Sequence, residues 1–581
     1  MNRREFLDIL SKGAVAAGLA GCTKLQYADD EDYYALPAWG DARLLHITDT
    51  HAQLMPVYFR EPNVNLGIGE AEGQLPHLVG KNLLDQLPTV GLRDPYSFTY
   101  LDFSESAERF GKVGGFAHLK TLVDRLRGEA TGGALLLDGG DTWQGSGTAL
   151  WTRGRDMVDA CNLLGVDAMT GHWEFTYQDA ETLANSKAFQ GDFVAQNVRA
   201  TEDALFEGTE VYDEDSGHVF PPYVIKTLNG RRIAVIGQAF PYTPIANPSR
   251  FIPDWTFGIR ESDLAELVSR IRDTERVDAV VLLSHNGMDV DLKLASRVAG
   301  IDFILGGHTH DGVPLPVVVG NSGGKTVVTN AGSNGKFVGV LDIQFGASGI
   351  SGYRYRLFPV FANLLPGDST MQAHIDKVRA PYLDTLNEPL ATAETLLYRR
   401  GNFNGTFDQV ICDAMRDVLD AEISMSPGFR WGTSVLPGDT ITMERVLDQT
   451  CMTYPETYVR EMTGEEIRFI LESVCDNLFN PDPYYQQGGD MVRLGGLRFS
   501  CAPRAEMGSR IGDLVLDDGK ALQASKSYKV AGWATVGSQA PGAPIWDVVA
   551  EYLRSRKSVN VSSLNQPVLK GVDGNPGIAD Y

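Results

Sequence analysis

Short apolar runs recur along the first two thirds of the chain. Eight of them have the length and the aliphatic, often β-branched composition of buried strands. They cover residues 43–47, 134–137, 193–198, 232–236, 277–283, 302–305, 326–329 and 338–345. Amphipathic helical patterns, such as residues 115–127 and 261–275, separate several of these runs. The alternation predicts an α/β layered domain with more strands than helices over residues 40–362.

The pattern changes after residue 362. A Pro-Gly-Asp turn and a charged helical stretch predict a linker helix over residues 363–389. A smaller α+β domain is expected over residues 390–571, because a helical pattern at 408–419 is followed by turn-rich segments around 426–432 and 488–496. The chain is therefore predicted to hold two domains.

The N-terminus differs from both domains. Arg3 and Arg4 precede a weakly apolar stretch of alanine, glycine and leucine, which is typical of a twin-arginine signal peptide over residues 1–28. Leu-Ala-Gly-Cys at residues 19–22 also resembles a lipobox, whose Cys22 would carry a lipid. We expect a periplasmic protein exported by the twin-arginine route, with lipid anchoring through Cys22 left open.

Composition argues against two kinds of partner. A net charge of −24 over 581 residues repels a nucleic-acid backbone. No apolar run beyond the N-terminus approaches the roughly 20 residues of a transmembrane span. We predict no nucleic-acid partner, no transmembrane segment and a monomer.

Apart from Cys22, the cysteines lack zinc spacing. Both buried free thiols and one or two disulfides remain open for Cys161, Cys412, Cys451, Cys475 and Cys501.

Acidic and imidazole side chains concentrate in five turns that follow predicted strands. The chain has only ten histidines, and five of them share these turns with two aspartates, in DTH (49–51), GD (140–141), GH (171–172), SHN (284–286) and GHTH (307–310). Residues i and i+2 of an extended segment point the same way, so Asp49 with His51, and His308 with His310, can address one site. Gathering these groups is costly unless a cation neutralises them. We predict a metal site.

The number of candidate ligands suits two ions with one shared carboxylate. The predicted ligands are Asp49, His51 and His310 for the first ion, His172, His285 and His308 for the second, and Asp141 as the bridge. Mixed imidazole and carboxylate ligands disfavour Ca²⁺ and Mg²⁺ and favour Mn²⁺, Zn²⁺ or Fe²⁺. Two such ions about 3.5–4 Å apart can hold a hydroxide and clamp an oxyanion. The predicted reaction is hydrolysis of a tetrahedral, ester-like group.

The order of these turns resembles the signature of calcineurin-like metallophosphoesterases. The resemblance implies a layered β-sandwich flanked by helices, and the 5'-nucleotidase branch implies a smaller C-terminal substrate domain. The chain departs from the signature at residues 171–174, where Gly-His-Trp-Glu replaces Gly-Asn-His-Glu. His172 would replace an asparagine ligand. Trp173 would replace the histidine that phosphoesterases use beside the leaving group, which argues against hydrolysis of nucleotide phosphoesters.

The same departure is found in the SoxB thiosulfohydrolases, which the chain resembles from residue 46 to about residue 498. The matching stretches are 46–53, 139–146, 171–177, 426–432 and 488–493. The resemblance implies that two Mn²⁺ ions serve to cleave sulfate from a cysteine-bound thiosulfonate on a SoxYZ-like sulfur carrier protein. A persulfide is a stable anion that leaves without a proton donor, so Trp173 is compatible with this chemistry.

The second domain provides further candidates for the substrate site. Arg430, in Ser-Pro-Gly-Phe-Arg-Trp-Gly, stands where related nucleotidases grip the charged end of the substrate. Its planar guanidinium suits two sulfonate oxygens. Asp490 and Arg493 lie in a glycine-flanked loop and are additional candidates, with a structural role as the alternative. Tyr177 is a candidate pocket residue, with a core position as the alternative.

Two other functions fit the same residues. A periplasmic 5'-nucleotidase or cyclic-nucleotide phosphodiesterase would share the fold and the metals, and would release phosphate from nucleotides. A surface lipoprotein with a degenerate site would bind rather than catalyse. Seven intact ligand positions argue against this third hypothesis.

Overall fold

The structure is a computed structural model that describes residues 33–347, 349–537 and 539–578. The predicted export signal, with Arg3, Arg4 and Cys22, lies outside these ranges. Within them, no helix combines the length and the apolar character that crossing a membrane requires.

Fourteen strands are described in the first domain. They are β1 (Ala42–Ile47), β2 (Ala134–Asp138), β3 (Ala168–Met169), β4 (Asp192–Phe193), β5 (Arg199–Ala200), β6 (Tyr223–Leu228), β7 (Arg231–Gln238), β8 (Trp255–Thr256), β9 (Ala279–Ser284), β10 (Phe303–Gly306), β11 (Val317–Asn321), β12 (Gly324–Asn330), β13 (Phe337–Gly346) and β14 (Gly349–Pro359). Alternation and β-branched residues favour strands in most of these segments.

Two six-stranded sheets are stacked to form the first domain. One has the order β14-β13-β1-β2-β3-β4 and the other β11-β12-β10-β9-β7-β6. β1 pairs in parallel with β2, and β10 pairs in parallel with β9 and β12. Side chains of both sheets share one buried core, which includes Leu44, Leu137, Val235, Val281 and Leu341. The predicted layered α/β sandwich is confirmed.

Helices cover the outer face of each sheet. Phe116–Gly128 and Arg155–Leu164 pack on the first sheet, and Glu261–Arg270 and Met288–Arg297 pack on the second. The remaining α-helices of this domain are Lys81–Leu84, Asp94–Phe98, Phe103–Phe110, Gly147–Thr152, Asp179–Ala188, Glu202–Glu207 and Thr243–Ala246. Single 3₁₀ turns occupy Gly69–Ala71, Trp173–Tyr177 and Ser249–Phe251, and a π-turn occupies Ile271–Glu275.

A helix, Ser369–Arg379, follows β14 and lies within the predicted linker. Asp368 caps it by accepting a hydrogen bond from the Met371 N–H at 2.8 Å. Met371 and Ile375 are buried against the first domain. The short turns Ala380–Tyr382 and Leu383–Leu386 then lead into the second domain.

Ten strands in three small sheets form the second domain. They are β15 (Pro389–Ala393), β16 (Ile423–Gly428), β17 (Thr440–Thr442), β18 (Thr457–Thr463), β19 (Asp490–Gly495), β20 (Leu497–Cys501), β21 (Ile511–Leu516), β22 (Ser527–Trp533), β23 (Ser558–Val559) and β24 (Val568–Leu569). The sheet orders are β18-β22-β16-β19, β17-β15-β23 and β21-β20-β24. The helices are Thr406–Val418, Met443–Thr450, Gly464–Phe479 and Ile545–Arg556, with a 3₁₀ turn at Pro483–Tyr485.

The five cysteines in the described part of the chain are free and buried. Cys475 and Cys501 lie closest to a bonded geometry, with their Sγ atoms 3.5 Å apart. The structure therefore corresponds to the free-thiol alternative.

Candidate metal centre and active-site cleft

The predicted ligands lie in turns that leave the carboxyl ends of five strands. β1 leads into Asp49 and His51, β2 into Asp141 and β3 into His172. β9 leads into His285, and β10 leads into His308 and His310. Parallel strands place their carboxyl ends at one edge of a sheet, where ligands of α/β proteins bind. Both sheets contribute, so the site lies at the shared edge of the sandwich.

The backbone of these turns is conformationally unusual. Five of the seven predicted ligands have positive φ angles, at Asp49 (51°), His51 (44°), Asp141 (58°), His308 (72°) and His310 (58°). Positive φ is uncommon for residues other than glycine, although aspartate and histidine tolerate it better than most. Such strain persists only where surrounding structure enforces it, and it clusters at functional sites. The turns are thus shaped to direct these side chains rather than to maximise backbone stability.

The first group of ligands is tightly clustered and buried. Donor atoms of Asp49, His51, Asp141 and His310 all lie within 4.8 Å of one another. The Nε2 atoms of His51 and His310 are 3.1 Å apart, and His310 Nε2 is 3.3 Å from Asp49 Oδ1. This group contains every residue that was predicted for the first ion, together with the predicted bridge.

Asp141 is shared with a second group. Donor atoms of Asp141, His172 and His308 also lie within 4.8 Å of one another. His285 joins them through Nε2, which lies 3.0 Å from Asp141 Oδ2 and 3.7 Å from Asp49 Oδ1. All seven predicted ligands therefore meet in one buried cluster, with Asp141 common to both groups. Their roles as ligands remain predictions.

The free nitrogens of this cluster fit metal ions. His51 Nδ1 and His285 Nδ1 donate to the carbonyl oxygens of Gln144 (3.2 Å) and Gly139 (2.6 Å). This fixes the tautomer and leaves the Nε2 lone pair for a cation. His172 Nδ1 is buried and has no hydrogen-bond partner among residues 33–347, 349–537 and 539–578. Buried imidazole and carboxylate groups in this arrangement suit a dinuclear metal site.

Burial controls the charge state of the cluster. It lowers the pKa of His51, His172 and His308 well below their usual range, and neighbouring imidazoles reinforce the effect. For His285 burial is outweighed by the charges of Asp141 and Asp49, which raise its pKa to about 10. Burial raises the pKa of Asp141 to about 7, although His285 opposes this shift. Most of the imidazoles are therefore neutral at pH 7, the form that binds a metal.

Glu174 is a positioning residue that the sequence did not single out. Its buried carboxylate accepts four backbone N–H groups, from Asp141 (3.2 Å), Thr142 (2.7 Å), Trp143 (3.1 Å) and His172 (2.8 Å). It thereby ties two ligand turns together. Asp291 supports the His285 turn, because its carboxylate accepts hydrogen bonds from Ser284 Oγ at 2.7 Å and Asn286 Nδ2 at 3.0 Å, on either side of His285. The only sequence signal for Glu174 is its place in the Gly-His-Trp-Glu motif.

A cleft of about 350 Å³ opens beside the cluster, between the two domains. Four predicted ligands line it, namely Asp141, His172, His308 and His310. Aromatic rings also line it, and they include Trp173, Phe429, Trp431, Tyr454 and Trp533. Trp173 lies 4.8 Å from His172 between ring centroids, and it packs edge-on against Phe429 and Trp431 at 5.8 and 5.4 Å. The predicted position of Trp173 beside the site is therefore found.

Arg430 bridges the second domain and the metal-site turns. Its Nη2 donates to the Gly489 carbonyl oxygen at 2.7 Å, and its Nη1 donates to the His308 carbonyl oxygen at 3.4 Å. Asp490 Oδ1 lies 3.5 Å from Arg430 Nε. Both Arg430 and Asp490 line the cleft. They are placed where a substrate would contact them, while their substrate roles remain predictions.

Arg493 and Tyr177 do not line this cleft in the described structure. Arg493 is fully buried behind Asp490, with Nη2 3.2 Å from Asp490 Oδ2 and Nε 3.3 Å from Asp408 Oδ2. Tyr177 is also buried, and its hydroxyl donates to the carbonyl oxygens of Trp143 and Ala149. Neither side chain lines the cleft, so the contacts of Arg493 and Tyr177 correspond to the structural alternative stated for each residue.

Known proteins share this fold and this arrangement of domains. Residues 389–548 match the family model of the 5'-nucleotidase C-terminal domain. The structure of sulfate thiohydrolase SoxB from Thermus thermophilus, in complex with glycerol, has a TM-score of 0.85 at 36% identity and covers 93% of this chain and 98% of that one. A 5'-nucleotidase precursor, also from Thermus thermophilus, has a TM-score of 0.71 at 22% identity, with 91% and 99% covered.

Curated relatives match over shorter stretches. The 5'-nucleotidase of Bos taurus is 27% identical over 329 residues, which are 52% of this chain and 54% of that protein. The trifunctional nucleotide phosphoesterase protein YfkN of Bacillus subtilis is 25% identical over 467 residues, which are 73% of this chain and 31% of that protein. This chain thus spans about half of the first relative and about a third of the second.

Fold and site together define a metal-dependent hydrolase of the 5'-nucleotidase-like metallophosphoesterase class. Its second domain is the 5'-nucleotidase C-terminal domain, and its buried Asp/His cluster suits the dinuclear site of that class. The chain belongs to the SoxB family, since it is 36% identical to the Thermus protein over nearly the whole length of both. The resemblance found in the sequence motifs is confirmed.

Proposed function

We propose that this protein is a thiosulfohydrolase that releases sulfate from a cysteine-bound S-thiosulfonate on a sulfur carrier protein. The observation that carries the proposal is Trp173, which lies against the ligand His172 where phosphoesterases use a histidine. An indole does not protonate a leaving alkoxide. A persulfide anion is stable and leaves without protonation, so a site without a general acid favours the sulfur substrate.

The ligand cluster supplies the other half of the chemistry. Asp49, His51 and His310 would hold one ion and His172, His285 and His308 the other, with Asp141 between them. The bound ions, which we propose to be Mn²⁺, would activate water and neutralise an oxyanion. Glu174 holds the Asp141 and His172 turns in register through its four hydrogen bonds. The protein's own contribution is thus to hold the ligand side chains in place.

The cleft determines how a substrate enters. Arg430 lines it between the His308 turn and the Gly488–Gly489 loop, where its guanidinium is placed to hold a sulfonate oxygen. Aromatic side chains that line the cleft would exclude water from the reacting group. A thin peptide arm with a modified cysteine fits such a cleft between two domains. We assign this arm to a SoxYZ-like carrier protein, met in the periplasm after twin-arginine export, which Arg3 and Arg4 support.

Substrate competition tests the proposal. Mn²⁺-loaded protein should release sulfate from a carrier's thiosulfonate, while AMP and cyclic nucleotides should react more slowly by about 10² to 10⁴, the usual contribution of a general acid. Ion chromatography for sulfate and a phosphate assay measure the two products. Comparable turnover of both substrates would favour the nucleotidase alternative.

Two substitutions at one position sharpen this test. Trp173→His introduces a proton donor and should raise nucleotide hydrolysis about 10²-fold. Trp173→Phe keeps an aromatic ring without a donor, and it is the matched control that should show no such gain. Equal nucleotide hydrolysis by both variants would remove Trp173 as the basis of selectivity.

Isotopic labelling tests the route of the oxygen. If water attacks the terminal sulfur, turnover in heavy-oxygen water should place one solvent oxygen in each sulfate released. Mass spectrometry of the sulfate measures this. Sulfate without solvent oxygen would rule out direct hydrolysis.

A further inference from the structure

Trp431 presents an unsatisfied hydrogen-bond donor beside the metal cluster. The residue is buried and lines the cleft. Its ring centroid lies 5.3 Å from that of the ligand His51. Within the described residues, its indole Nε1 has no hydrogen-bond partner. An indole N–H can only donate, and a buried donor without an acceptor is unfavourable. The position therefore calls for an acceptor that the protein itself does not supply.

Among the described residues, three tryptophans have a buried indole nitrogen without a hydrogen-bond partner, and of these three Trp431 lines the cleft. Trp143 and Trp255 also have unpaired indole nitrogens within the described ranges, but both belong to the first domain's core and neither lines the cleft. Trp533 lines the same cleft as Trp431, yet its Nε1 donates to Ser426 Oγ at 2.9 Å. Of the three tryptophans that line the cleft, Trp431 thus has a buried indole N–H without a partner in the described structure, and Trp533 has a satisfied one.

Packing holds the Trp431 ring in place. It stacks on Phe429 with centroids 4.1 Å apart and an interplanar angle of 20°. Trp173 packs edge-on against it at 5.4 Å. The next residue, Gly432, has no room for a side chain, because a Cβ there would lie 2.3 Å from Gln449 Oε1. These contacts pack the indole beside the cluster.

The chemistry of the site identifies the missing acceptor. Two of the Arg430 nitrogens already donate to the carbonyl oxygens of Gly489 and His308. A sulfonate or sulfate in the cleft would offer several acceptor oxygen atoms to nearby donors. A neutral N–H adds a hydrogen bond without the repulsion that a further cationic side chain would meet beside two metal ions.

We propose that the Trp431 indole N–H donates to an oxygen of the tetrahedral oxyanion bound in this cleft, and that Trp431 is a substrate-contacting residue. The identification of that oxyanion as a sulfonate rests on the proposed function. Binding of a tetrahedral oxyanion as such does not, since sulfate and phosphate offer the same acceptor geometry.

Anion titration of the full chain tests this directly. The protein is labelled with ¹⁵N-tryptophan and loaded with Zn²⁺, which is diamagnetic. Its eight tryptophans give indole resonances, and the Trp431 and Trp533 signals are assigned by their loss in Trp431→Phe and Trp533→Phe. Sulfate should shift the Trp431 resonance saturably and leave the Trp533 resonance in place. Absence of a Trp431 shift with both sulfate and phosphate overturns the proposal.

Affinity and turnover provide a second readout. Trp431→Phe keeps the ring and loses the donor, so sulfate affinity and kcat/KM should each fall about 10-fold, as expected for a hydrogen bond to a charged group. Trp533→Phe is the matched control, whose loss should be smaller because its N–H already has an acceptor. Equal losses in the two variants overturn the proposal. A Trp431 response to phosphate, without sulfate release from carrier-bound thiosulfonate, would support this inference and contradict the proposed function.

Discussion

Two buried clusters of acidic and basic side chains lie beside the cleft, and they are organised in opposite ways. In the second domain, charges alternate along the row Arg430, Asp490, Arg493, Asp408 and Arg399. Each carboxylate lies between two guanidinium groups, with distances of 3.5 and 3.2 Å at Asp490 and of 3.3 and 2.7 Å at Asp408. Both carboxylates are therefore neutralised within the row, whose three arginines leave one net positive charge.

The ligand cluster of the first domain is compensated less completely, because Asp141 and Asp49 favour the charged form of His285 while burial keeps most of the other imidazoles neutral. Five imidazoles and two carboxylates converge there, with His51 Nε2 and His310 Nε2 3.1 Å apart. Burial alone would make either cluster unfavourable. The two clusters differ in the partners of their carboxylates. Guanidinium groups flank the carboxylates of the row, whereas imidazoles surround those of the ligand cluster. The contrast shows that a buried cluster of mostly neutral imidazoles around shared carboxylates, rather than burial or acidity alone, marks the metal site.

Removing Asp141 should have the largest effect, because it is common to both ligand groups. Asp141→Ala should lose both ions, and hydrolysis should fall by at least about 10³, more than removal of a single oxyanion-stabilising group typically costs. His310→Ala or His285→Ala should mainly weaken one ion. Elemental analysis of the purified variants measures the metal content. Two ions retained by Asp141→Ala would contradict the shared-ligand assignment.

Breaking the alternating row should instead destabilise the fold. Asp408→Ala leaves Arg399 and Arg493 buried without their shared carboxylate, which should cost about 3–5 kcal/mol in the free energy of unfolding. Asp408 Oδ2 also accepts from the Gly405 N–H at 2.9 Å, at the start of helix Thr406–Val418. Asp408→Asn keeps an oxygen that can accept from the Gly405 N–H, so its destabilisation reports the loss of the negative charge alone. Urea unfolding measures the cost.

Measuring the metal content of Asp408→Asn shows whether the change in the row also affects the ligand cluster. The folded fraction of Asp408→Asn should keep both ions, since no ligand is altered. Loss of metal from folded Asp408→Asn, or a destabilisation below about 1 kcal/mol as for an exposed pair, would contradict the division into two clusters.

Local signals explain which parts of the fold were predictable. Apolar runs located β1, β2, β7, β9, β10, β12 and β13 because strand periodicity is a property of neighbouring residues. The run at 193–198 was predicted as a longer strand, whereas β4 ends at Phe193. The edge strand β6 was missed because its residues are half-buried and polar in part. Partly exposed edges lack the continuous apolar signal of central strands.

The site divides in the same way. The convergence of all seven candidate ligands was predictable, because each follows a strand in a short turn whose spacing the sequence records. Glu174 was not recognised as a positioning residue, since three of its four partners are backbone N–H groups of residues 141–143, which are remote in sequence. Arg493 was predicted at the substrate site because it shares a loop with Asp490. Its second partner, Asp408, lies on a helix far back in the chain, and only tertiary packing reveals it.

The contact between the two domains at Gly488 predicts an intermediate effect. A Cβ at this glycine would lie 2.0 Å from His308 Nε2, and its φ is +82°. Gly488→Ala should therefore displace either the loop or a predicted ligand, and lower affinity for the second ion at least about 10-fold. Gly489→Ala is the matched control, with a φ of +75° and its nearest contact at 3.7 Å. Competition with a metal chelator measures both affinities. Equal metal affinity in the two variants would show that backbone strain, not the clash, dominates.

Arg430 lies at the end of the alternating row that lines the cleft. Its removal should therefore change the free energy of unfolding least and should act mainly on kcat/KM. Arg430→Ala should lower kcat/KM for carrier-bound thiosulfonate by about 10-fold, since a hydrogen bond to a charged group contributes about 1.5–3 kcal/mol. Asp490 keeps Arg493 as a partner at 3.2 Å, so the free energy of unfolding should change little. Arg430→Lys keeps the charge but loses the planar contacts with Gly489 and His308, and it should recover only part of the activity. Steady-state kinetics with urea unfolding of the same preparations separates the two effects. If Arg430→Ala is destabilised as strongly as Asp408→Asn while its kinetics are unchanged, Arg430 belongs to the structural row alone.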